Sequence, residues 1–169
     1  MSKIMDRTRD GSGNEASTLT KSLAKGLMAG LIGGLVATAA KSIAERIYPP
    51  RIHGEPEPPA VLAENLAGHR LAPAEREIAA ESIHWGFGAL TGAAYGAIAE
   101  FYPAVTSNDG VGFGMTLASL THDKALPALG LGAGPGEQTD RERSSEIASH
   151  IVYGMVTEAV RDFVRHILG

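Results

Sequence analysis

Hydrophobic and polar positions divide the chain into four apolar stretches separated by polar or proline-rich ones. The longest uncharged run is Ser82–Ala99, SIHWGFGALTGAAYGAIA, 18 residues in which His84 is the only ionisable group. On a helix, positions four apart stack on one face, and that face reads His84, Gly88, Gly92, Gly96, Glu100. Three glycines inside a water-facing helix would cost about 1 kcal/mol each relative to alanine. A membrane helix tolerates them, because small residues let a partner backbone approach closely. The pattern predicts a tightly packed transmembrane helix over Ala74–Phe101, with Pro73 near its first turn.

The first apolar stretch, Leu19–Tyr48, ends at Pro49-Pro50, and its uncharged core Gly26–Ala40 has 15 residues. A span needs about 20, so Lys25 and Lys41 must snorkel outward. Gly26, Gly30, Gly34, Thr38 and Ser42 form a second small-residue stripe. The third stretch, Gly110–Leu120, has only 11 residues before His122-Asp123-Lys124. It crosses a bilayer only with His122 and Asp123 buried; otherwise it is a broken or re-entrant element. The fourth runs from Thr139-Asp140 to Leu168, with His150 inside its uncharged centre Ile147–Thr157. Met1–Thr18 reads as a mobile polar tail ahead of a helical membrane domain over 19–169. The proline-rich 49–73 reads as an extramembrane connection, with a short helical pattern over Ala60–Gly68.

Composition alone hides this pattern. The chain is 44% hydrophobic with mean hydropathy −0.01, since polar residues crowd into the tail and loops, while many of its 21 glycines fall in apolar segments. A net charge of −4 without a long basic run argues against a nucleic-acid partner. With no cysteine, disulfides and thiolate chemistry are excluded. The polar first twenty residues do not resemble a cleavable signal. GVGFG and GLGAGPG lack the strand and helix that a phosphate-binding loop requires, and neither G-x-S-x-G nor H-E-x-x-H occurs. No enzyme is expected, and no catalytic or metal-ligating set stands out.

Two features rise above this background. His84–Thr91 and His150–Thr157 share H-x-x-[FY]-G-x-x-T at identical offsets. Either the helices are internal duplicates, or both solve one packing problem with a glycine beside an aromatic ring and a threonine bonded back to its own helix. Gly88 and Gly154 are then expected to meet where the second and fourth helices cross. The ionisable groups also cluster. Helical spacing pairs Glu81 with His84 and Glu146 with His150, and His122, Asp123 and Glu158 make a third group. Solvated interfacial pairs, interhelical hydrogen bonds and a functional site all fit, since charge inside a membrane is costly. His84 and His150 are candidate ligands for a haem or pigment, although the spacing does not demand one, so the cofactor is left open.

The ordered trio HWGFGALTGAAYG, HDKALPALGL and SHIVYGMVTEAVR, within Leu23–Arg165, resembles the YagU-like family of bacterial inner-membrane proteins. The resemblance implies a small multi-pass inner-membrane protein and brings no reaction, substrate or site residue with it. The expectation is therefore an all-α, Gly/Ala-rich integral membrane bundle of three or four apolar helices, its third segment short. Its partners would be membrane lipid and either other membrane subunits or copies of itself. The expected function is an accessory or scaffold subunit, because the glycine stripes of two helices offer more close-packing surface than one small bundle can use. The expected helix-packing residues are Gly26, Gly30, Gly34, Gly88, Gly92, Gly96 and Gly154. The alternatives are a small transporter, channel or proton-conducting protein using the His/Glu pairs, and a haem- or pigment-binding subunit.

Overall fold

The computed structural model describes the backbone of residues 2–51 and 56–169, and side chains from residue 15 onward within those ranges. Most of the expected polar tail, and 52–55 of the proline-rich connection, lie outside the residues described in full. All regular elements among the described residues are helical: α1 (Ser2–Ile47), α2 (Pro58–Ala67), α3 (Pro73–Phe101), α4 (Val111–Leu120), the single turn α5 (Leu126–Ala128) and α6 (Asp140–Leu168). A 3₁₀ turn, Pro103–Thr106, follows α3, and a π-turn, Thr121–Ala125, joins α4 to α5.

Local chemistry accounts for the helix ends. Pro49 and Pro50 stop α1 because a proline cannot donate to the preceding turn. Pro73 opens α3, and the Ala72 N–H donates to the Glu75 carboxylate at 3.2 Å. Thr139 Oγ1 caps α6 by accepting the Glu142 N–H at 3.2 Å, with Asp140 and Glu142 in the first turn and Arg165 and His166 in the last, as the helix dipole favours. Asn108, Asp109 and Gly110 all have positive φ, which turns the chain back into α4.

α1 is the axis of the molecule. Its Gly26, Gly30 and Gly34 lie against Gly96, Gly92 and Gly88 of α3, so the two helices are antiparallel. The approach is backbone to backbone: a Cβ on Gly92 would stand 2.5 Å from the Gly30 carbonyl oxygen and 2.6 Å from the Gly34 Cα. On its other side, Gly33 meets the Thr157 backbone of α6, and Tyr48 Oη lies 2.9 Å from Ser144 Oγ, so α6 also runs antiparallel to α1. Hence α3 and α6 are parallel, which sets His84 and His150 at similar heights. α4 packs antiparallel on α6, its Gly110 and Gly114 against Gly154 and His150.

This arrangement corrects the expected crossing of the echoed motifs. Gly88 meets Thr38 of α1 and Gly154 meets α4, so each glycine occupies an equivalent notch in a different antiparallel pair. The two motifs touch instead through a side chain, the Tyr153 hydroxyl donating to the Gly88 carbonyl at 2.6 Å. The threonines do bond back to their own helices, Thr91 Oγ1 to the Phe87 carbonyl at 2.9 Å and Thr157 Oγ1 to the Tyr153 carbonyl at 2.7 Å.

The interior combines small apolar residues with polar ones, and many large apolar side chains face outward. The largest fully buried side chains are Thr38, Thr157, Ser145 and Ser149, whereas Met28, Val36, Leu90, Met155 and Phe163 are exposed. Among the described residues one helix, over Glu15–Ile47, is long and apolar enough to cross a membrane by length and composition.

The helix contact gives a direct test. Gly92→Ala should destabilise the fold by about 1–3 kcal/mol, the usual cost of overpacking. A Cβ on Gly86 meets nothing within 4 Å, so Gly86→Ala should be neutral or stabilising by up to about 1 kcal/mol. Thermal unfolding in detergent measures both, and similar responses would remove the close contact.

Candidate functional site

Between α1, α2, α3, the π-turn and α6 lies a cavity of about 540 Å³, within the usual range for small-molecule sites. Its polar wall brings together His84, His122, His150, Glu45, Glu146, Lys41 and Arg51. Phe87, Leu117, Leu126 and Leu129 form much of its apolar wall. The two histidines singled out as candidate ligands thus face one space, joined by a third.

The side chains in the wall are not equally well held. Lys41 bonds the Glu45 carboxylate one turn on, and Ser149 Oγ donates to the same carboxylate at 3.2 Å. His84 Nε2 stands 3.3 Å from Ser42 Oγ. His150 Nδ1 lies 2.8 Å from the Glu146 carbonyl; a carbonyl only accepts, so Nδ1 carries the proton. The His122 and His150 rings meet edge-on at 5.0 Å between centroids. Glu146 is the exception. It is 3% exposed, and neither carboxylate oxygen has a hydrogen-bond partner. His122 Nδ1 approaches to 2.9 Å but off the hydrogen-bonding direction, and an Arg51 nitrogen stays at 3.6 Å. The π-turn, a form often found at functional sites, is what carries His122 here.

Tyr153 forms part of the far wall, its hydroxyl donating to the Gly88 carbonyl at 2.6 Å with Thr91 Oγ1 2.9 Å away. Further along α6 a second polar group follows. Tyr95 Oη donates to Glu158 at 2.8 Å, and Arg161 grips the same carboxylate through two nitrogens, each at 2.7 Å. The Tyr95 ring stacks on Phe113 at 4.2 Å. Just past the uncharged run, Arg165 donates to both oxygens of Glu100, at 2.5 and 3.1 Å, and Ser22 Oγ adds a bond at 2.5 Å. The Arg165 hydrogen bond, helped by Ser22 and partly opposed by burial, holds the Glu100 carboxyl below its ordinary range.

These positions revise the expected pairings. Glu81 accepts the Trp85 Nε1–H at 2.9 Å instead of pairing with His84. Glu146 offers His150 its backbone carbonyl, while its carboxylate turns to His122. Glu158 joins Tyr95 and Arg161 near the start of α4, whereas His122 lies beyond the end of α4. Asp123 is half-buried and off the cavity wall. Sequence reasoning missed Glu45, Arg51, Tyr153 and Arg161. It also missed that the buried face of α6 is polar from end to end: Glu142, Ser145, Glu146, Ser149, His150, Tyr153, Thr157 and Arg161, interrupted only by Gly154. Their three- and four-residue spacing is the signal that could have found them.

The fold defines an all-α protein with a polar, glycine-spaced interior and one helix able to cross a membrane. More particularly, the chain belongs to a family described as proteins of unknown function, DUF1440, which matches residues 35–159. That stretch contains every residue named in the cavity wall. No curated protein and no solved structure matches the chain.

The Glu100 corner predicts a pH dependence. Because its carboxyl is depressed in the fold, it adds stability above the unfolded value of about 4.3, and that stability is lost as pH falls through the lower folded value. Thermal unfolding in detergent should therefore shift downward below about pH 4. Glu100→Gln should remove this component of the slope; an unchanged slope would show that the corner does not contribute.

Proposed function

We propose that this chain is a multi-pass protein of the bacterial inner membrane, in keeping with its resemblance to YagU-like proteins, and that it moves protons or a proton-coupled small solute. The observation that carries this reading is the inward face of α6, polar from Glu142 to Arg161. Ionisable groups within a membrane are costly and mark pathways or relays. A continuous polar face is what a conducting route needs and a merely structural helix does not.

The outward apolar residues of α1, α3 and α6 support lipid as the surrounding solvent. The accessory-subunit reading loses its motive. The expected helix-packing glycines meet α1, α3 or α4 within this chain, and among the described residues the helical Gly86 and Gly112 have open space around them. In the transport reading Glu146 and His122 hold a proton at the cavity, and Tyr153 separates that group from Tyr95, Glu158 and Arg161.

Carbonate-washed membranes should retain the protein. Purified protein in liposomes loaded with a pH-reporting dye should dissipate an imposed pH gradient faster than empty liposomes. Glu146→Gln should remove that increment while Gly86→Ala preserves it. Proteoliposomes as tight as empty ones would sink the transport reading. An absorption band from a bound haem or pigment, lost in His84→Ala or His150→Ala, would replace it with the cofactor-binding one.

A further inference from the structure

We propose that the cavity is a binding site for a small organic cation, a primary amine or amidinium with an apolar body, and that Glu146 is the group that receives its charge. The inference rests on the transport reading and names the class of solute. A carboxylate at 3% exposure with neither oxygen hydrogen-bonded is rare, because buried charge needs hydrogen bonds; Glu146 has only the ion-pair approaches of His122 at 2.9 Å and Arg51 at 3.6 Å. Glu146 lines a cavity of about 540 Å³, with its two oxygens shut off from solvent and His122 and Arg51 as their nearest cationic groups. A ligand that brings two N–H donors side by side satisfies both at once, as charge-assisted pairs do.

The chain offers its own example of that chemistry. Arg51, on the extended segment after α1, brings a guanidinium to 3.6 Å from Glu146 and 3.8 Å from Glu142, just outside hydrogen-bond reach. It approaches the position a ligand cation would take. Lys41, also in the wall, is committed to Glu45. Elsewhere in the cavity lining, Phe87, Leu117, Leu126 and Leu129 offer apolar surface to the rest of the ligand. His150 presents no second cation in its ordinary neutral state, with Nδ1–H fixed on the Glu146 carbonyl.

Three probes of one shape test the assignment: benzamidine, benzoate and benzyl alcohol, titrated into the full-length protein in lipid nanodiscs by calorimetry. Benzamidine should bind and the other two should not. Glu146→Gln should weaken benzamidine by at least about tenfold, the usual loss for a charged hydrogen bond. Arg51→Ala should tighten it by removing the internal competitor, which guards against a Glu146 variant that merely fails to fold. Benzoate binding that Arg51→Ala abolishes would make the site an anion site and overturn the proposal. So would benzamidine binding that is absent, or indifferent to both substitutions. Proton flux that persists without benzamidine binding would defeat this inference alone. Binding that persists without flux would leave the cation site standing and defeat the transport reading.

Discussion

Everything in this fold depends on two helices touching through their backbones. Gly30 of α1 and Gly92 of α3 leave no room for a methyl group between them, and Gly26, Gly34, Gly88 and Gly96 extend the contact above and below. Such a surface gains from the many dispersion contacts that close backbone approach allows. It places α1 so that its opposite side, at Gly33, can seat α6 in the same way. Because α3 and α6 are both fastened to α1, they need little direct contact with one another. The gap between them is closed by longer polar side chains, Tyr153 reaching Gly88 and Tyr95 reaching Glu158, and widens into the cavity toward His84 and His150.

The polar interior follows from the same economy of size. Small interior residues leave less apolar area to bury than large side chains would. Thr38 and Thr157 return their hydroxyls to their own helices, which lets polar atoms sit in the core without a demand for partners elsewhere. Arg161 and Glu158 satisfy each other through two bonds. Glu146 stands apart because its surroundings leave it unsatisfied, and strain of that kind is expected where a site must accept something.

Much of the fold was legible in the sequence. The prolines at 49 and 50 mark the end of α1, and Pro73 and the Thr139 cap mark the starts of α3 and α6. The start of α1 was not legible, since the apolar stretch begins at Leu19 and the helix at Ser2. Four-residue glycine spacing marks the faces that α1 and α3 turn toward each other. The partners of ionisable groups were less legible, because helical spacing says which residues share a face and nothing about the neighbour across it. Glu81 thus turned to Trp85, and Glu146 found His122 from a segment 24 residues earlier. Gly88 and Gly154, alike in local sequence, were sent to different partners by chain order, a property no local motif records.

The π-turn at Thr121–Ala125 has one further consequence. Such a turn holds one residue more than α pairing needs. Returning it to α pairing would rotate the residues on one side by about 100° relative to the other. The glycine contact of α4 with α6 lies before the turn, so the extra residue leaves that contact seated and turns His122 toward Glu146. A single residue of slack thus works like an offset in a shaft, letting one segment meet a packing face and a polar neighbour that a regular helix would hold out of phase.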